Sequence, residues 1–168
     1  MISMKNFAVE AMLKHPRSLV GLFFVFSILM TSCTTAVNPA GDPTKRLSDY
    51  ISRSFAVRGA ADRDILAEFL TGEAKQRLVA WSEEQFLMAF VDSKRQFLKL
   101  AIAEQKAISE NETNVTYELS YIDQTRGRDA KVTNKKLCRM VLENGSWMIA
   151  EVRNLKELVE FRNEMSLP

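Results

Sequence analysis

Apolar and polar residues recur along this chain with two different periods, and the change of period divides it. From residue 43 to about residue 92 the apolar positions return every three or four residues, the spacing of one helix face. Leu47, Tyr50, Ile51, Ser54, Phe55 and Arg58 mark a first helix. Pro43 suits its first turn, Asp42 or Thr44 its cap, and Gly59 its end. A second helix is expected over residues 62–70, with Ile65, Leu66, Phe69 and Leu70 inward and Thr71-Gly72 as the stop. A third, over 73–81, carries Ala74, Leu78 and Trp81. Ser82, with Gln85 three residues on, reads as a capping box for a fourth helix holding Phe86, Leu87, Ala89 and Phe90.

Beyond Ser93 the period falls to two, as in strands with one buried face. Over residues 96–109, Leu98, Leu100 and Ile102 are expected on one side, with Lys99, Ala101 and Ala103 on the other. Residues 113–123 set Val115, Tyr117, Leu119 and Tyr121 against Thr116, Glu118 and Ser120. Residues 131–143 set Cys138, Met140 and Leu142 against Leu137 and Val141. Asn144-Gly145 predicts a tight hairpin, because both central positions of a type I′ turn need positive φ. A fourth strand follows over 146–153, and Asn154 is expected to cap a last short helix with Leu155, Leu158, Val159 and Phe161. Helices first and antiparallel strands afterwards predict the α+β class: N-terminal helices packed on one face of a curved antiparallel sheet of about four strands.

The N-terminal segment follows different rules. A net positive stretch precedes an uncharged apolar run at residues 19–30. That run is short of the ~20 residues a helix needs to cross a bilayer core, and it suits the hydrophobic region of a secretory signal. Thr31-Ser32-Cys33 directly after it resembles the bacterial lipobox, with Met30 where that family prefers leucine and Leu29 one residue further out. The resemblance implies cleavage before Cys33 and a diacylglycerol on its thiol. Thr34, rather than Asp, after the cysteine implies sorting to an outer membrane, facing the periplasm. The expected division is a signal peptide at 1–32, a tether at 33–43 and one folded domain at 44–168. The tether is small and polar, and Pro39 and Pro43 break it.

The order of elements brings a second likeness. Opening helices through Trp81, the segment Thr71-Gly72-Glu73-Ala74-Lys75 between helices, three long strands and the closing Asn144-Gly145-Ser146-Trp147 hairpin together resemble the nuclear transport factor 2-like superfamily, the cystatin-like cone. The resemblance implies a cone fold, which often encloses an apolar cavity between helices and sheet. Trp81, Phe86, Phe90, Tyr117, Tyr121 and Trp147 would either line such a cavity or fill the core. Relatives also pair through the sheet, which makes a homodimer a further expectation.

Charge and chemistry narrow the function. Of 23 Lys and Arg and 21 Asp and Glu, Lys5, Lys14, Arg17 and Glu10 precede Cys33, so the rest balance at 20 of each. A neutral domain lacks the basic stripe that nucleic acid requires. The pairs Lys94-Arg95, Arg126-Arg128 and Lys135-Lys136 read as solvated strand ends and turns. The single histidine, His15, lies in the segment to be removed, which weakens His-dependent triads and His-ligated metals together. No phosphate loop and no Cys-x-x-Cys is present, so no cofactor is expected. Cys138, flanked by alternating apolar residues, reads as a buried structural thiol. The leading expectation is a non-enzymatic, lipid-anchored cell-envelope module that binds a small apolar ligand or another envelope protein. The alternative is a small isomerase- or dehydratase-like enzyme drawing on Asp49, Tyr50, Tyr117, Tyr121 or Asp123.

Overall fold

The computed structural model describes residues 41–161. The expected signal peptide, Cys33 and most of the expected tether lie outside the described residues. The described residues form one compact unit, which holds every core residue.

Four helices open the domain: α1 (Pro43–Phe55), α2 (Asp62–Ala67), α3 (Gly72–Ala80) and α4 (Glu83–Phe90). Their ends follow the capping chemistry of the sequence. The Asp42 carboxylate accepts hydrogen bonds from Thr44 N and Oγ1, each 2.8 Å, with Pro43 in the first turn. Pro43, counted with the tether, is thus a buried helical residue. The Asp62 carboxylate accepts from Arg58 N at 2.8 Å and Gly59 N at 3.2 Å, closing the turn before α2. At α4 the capping box is complete: Ser82 Oγ accepts from Gln85 N, and Gln85 Oε1 accepts from Ser82 N.

Four strands follow in simple up-and-down order: β1 (Arg95–Ser109), β2 (Glu112–Asp123), β3 (Lys131–Glu143) and β4 (Ser146–Glu160). The chain is an α+β cone: α1 packs on β1 and β4, α3 packs on β4, and α2 packs on α1 and α3. The helical layer is also stitched to the sheet by backbone. Ile149 N donates to Phe69 O at 2.8 Å and Thr71 N donates to Ile149 O at 2.9 Å. The β3–β4 hairpin turns on Asn144 and Gly145 with φ of 51° and 77°, the positive pair expected of it.

The two inner strands pair without a register shift, whereas both outer strands carry bulges. Leu98, Ala103 and Ile108 are the extra residues in β1, and Ala150 and Leu155 those in β4. Each bulge adds twist and breaks the strict alternation of sides. Two expectations are corrected by this. Phe97, not Leu98, shares the inner face with Leu100 and Ile102, because Leu98 is the bulged residue. Residues 154–160 continue β4 instead of forming a helix. They pair with residues 131–136 of β3, which would otherwise leave half of that strand's edge unbonded. Ile65 is also exposed rather than inward, while Leu66, Phe69 and Leu70 are buried.

Candidate ligand-binding site

The inner face of β3 runs Val132, Asn134, Lys136, Cys138, Met140 and Leu142, each matched across to an inner-face residue of β2 or β4. Toward the β3–β4 turn this face is dry. Cys138, Met140 and Val115 are fully buried in one core cluster with Trp147 and Leu47. Burial pushes the Cys138 thiol up to about 12, so it stays protonated and inert as the sequence suggests.

Toward the other end the same face turns polar, and cavities open there. One, of about 250 Å³, lies among Tyr50, Phe55, Phe90, Tyr117, Tyr121 and Lys136, with Arg95 and Ser93 also in its wall. A second, of about 300 Å³, lies among Leu70, Leu78, Trp81, Phe90, Ile149 and Asn154. Tyr50, Phe90, Lys136 and Val152 belong to both walls. The volumes approach the lower end of the ~300–1,000 Å³ usual for small-molecule sites.

Each wall residue is held by its element. α1 delivers Tyr50 and Phe55 from the face that buries Leu47 and Ile51. Phe55 stands between Phe97 and Tyr121, with ring centres 5.5 and 6.0 Å away. The Arg95 guanidinium lies 5.6 Å from the Tyr121 ring centre. Asn134 Nδ2 donates to Tyr121 Oη at 3.2 Å, while Asn134 Oδ1 is buried without a partner. Lys136 lies directly opposite Tyr117 on one side and Asn154 on the other. No ion pair among the described residues includes Lys136. Burial first, and Arg95 second, lower its pKa from the ordinary lysine value, while Glu157 pulls it back up. Burial also raises the Tyr50 phenol to about 12 and the Tyr117 phenol further, with the Cys138 sulfur adding to both. Both phenols therefore stay neutral and offer O–H donors at ordinary pH.

Of the aromatic residues singled out from sequence, Phe90, Tyr117 and Tyr121 line the first cavity, and Trp81 and Phe90 the second. Phe86 is fully buried beneath them, 4.9 Å from the Phe90 ring and 5.1 Å under the Arg63 guanidinium. Trp147 is buried at the dry end, by a surface groove that also holds Asp42 and Arg46. Asp49 belongs to that same groove and pairs with Lys45 at 2.8 Å. Asp123 is spent on its own turn, accepting from Thr125 N and Thr125 Oγ1. Neither carboxylate lines either of the two cavities, and neither of their walls contains an acid.

Lys136 is the residue that sequence reasoning passed over, by taking Lys135-Lys136 as a solvated pair. The signal was there: alternation counted back from Met140 and Cys138 puts Lys136 on the inner face and Lys135 on the outer. Among the described residues no three His, Cys, Asp or Glu side chains cluster, and no helix is long and apolar enough to cross a membrane. No protein-family model matches the sequence, and no curated protein matches it.

Proposed function

We propose that this is a lipid-anchored cell-envelope protein whose domain, of the nuclear transport factor 2-like kind, binds a small, largely apolar molecule without transforming it. The paired cavities sharing Tyr50, Phe90, Lys136 and Val152 carry the reading of the domain. Aromatic rings recur in both walls, and a few polar side chains stand among them, the usual composition of a binding pocket. Acid–base catalysis finds less support. The wall lacks a carboxylate, and phenols raised to about 12 or beyond are poor proton donors and worse bases near neutrality. The anchor rests on residues 19–33, with Cys33 as the acylated residue and an outer membrane, on its periplasmic side, as the site of residence.

Two measurements test this. Cys33→Ala should move the protein from the membrane to the soluble fraction of the envelope; a variant that stays with membranes ends the anchor proposal. A native mass spectrum of the chain from Thr34 onward, purified from its own host, should show a non-covalent small-molecule mass. A bare monomer or dimer mass would count against the ligand and for an envelope-protein partner.

A further inference from the structure

Lys136 is a poor choice for stability. An ammonium half-buried among aromatic rings loses hydration, and no carboxylate in either wall compensates for that. Its surroundings add to the strain. Arg95 approaches from β1 and Arg77 from α3, both cationic, and the neutral phenols of Tyr50 and Tyr117 close the wall together with the Tyr121 side chain. On β4, Asn154 lies opposite and Glu157 one step along the inner face, but the Glu157 carboxylate is committed to Arg126 at 2.6 Å. The cavity thus carries cations and hydroxyl donors with no anion to satisfy them. A ligand that supplied a negative charge would share one cavity with the ammonium, the phenol donors and the Arg95 guanidinium. Its apolar body would lie against Phe55, Phe90 and Trp81.

We infer that Lys136 is the counter-ion for an organic acid: the cavities take a molecule with one carboxylate and an apolar, ring-sized body. The inference rests on the ligand-binding reading above and narrows it to a charge class. Recognition is electrostatic at the head and hydrophobic in the body, so the two parts are separable by experiment.

The probes are naphthoate and its neutral counterpart naphthalenemethanol, titrated calorimetrically into the chain from Thr34 onward, which contains the whole core. Naphthoate should bind, and Lys136→Met should weaken it by about tenfold or more, the scale of one charged hydrogen bond. Naphthalenemethanol should bind both proteins equally. Lys136→Met should melt no lower than the parent, because it removes a half-buried charge. Lys136→Arg supplies the second readout. In the parent, naphthoate affinity should fall as pH rises through the lowered pKa of Lys136, since a neutral amine cannot pair with a carboxylate. In Lys136→Arg that alkaline loss should vanish, because arginine does not titrate there. If both probes bind and neither substitution matters, the anion inference is wrong and the ligand-binding reading survives. If neither probe binds the parent, both fall.

Discussion

One face of one sheet behaves as two materials. Toward the β3–β4 turn, Cys138, Met140 and Val115 are fully buried and line neither cavity. Two residues along the same strand, Lys136 and Asn134 take the corresponding positions, and cavities replace packed side chains. Both halves obey the same alternation and sit under the same α1. The difference is therefore not one of secondary structure. The dry half is what a stable sheet–helix interface requires; the polar half weakens that interface, and residues that weaken a core are the ones to suspect of another role.

The contrast can be attacked from both sides. The largest effect belongs to the dry half: Met140→Ala removes a side chain at 0% exposure and should cost ~2–5 kcal/mol in urea unfolding. A loss well below that range would mean the dry end is looser than its burial implies. In the polar half Tyr121→Phe deletes the acceptor for Asn134 Nδ2, whose own Oδ1 already lacks a partner, and should cost ~1–3 kcal/mol. If the variant is neutral, water already serves Asn134 and the two halves differ less than argued. The smallest effect lies at the entrance to β1. Lys94 holds φ of +47°, a left-handed conformation that strains a side-chain-bearing residue. Lys94→Gly should stabilise by up to ~1 kcal/mol, visible as a higher urea midpoint. It should leave naphthoate binding untouched, which separates strain in the turn before β1 from chemistry in the cavity.

How much could be read from the chain depends on whether an element keeps its period. The capping residues Asp42 and Ser82 named their helices, and β2 and β3, which pair without a shift, alternate as written. The outer strands do not. With bulges at Ala150 and Leu155, the inner residues of β4 are Trp147, Ile149, Val152, Asn154, Glu157 and Val159, at spacings of two and three. Leu155 at the bulge and Leu158 on the outer face are exposed, and with Val159 on the inner face they reproduce a helical spacing from three different settings. The same irregularity hides Phe97 behind Leu98 in β1. The aromatic part of the candidate site was legible because large rings are conspicuous in an apolar stripe. Lys136 was not, because a charge beside another charge resembles surface until its side of the strand is counted.

The bulges have a second effect, on what the molecule does to its neighbours. β1 is an outer strand of fifteen residues, and most of its side chains are exposed. A straight strand of that length would offer a continuous row of free amides and carbonyls to any copy of itself. Leu98, Ala103 and Ile108 interrupt the row about every five residues, and Lys99, Glu104 and Lys106 place charges between the interruptions. No long stretch of backbone is left in register for a second chain to zip onto. The irregularities that obscure the strand in sequence thus protect the folded protein from polymerising through its own border.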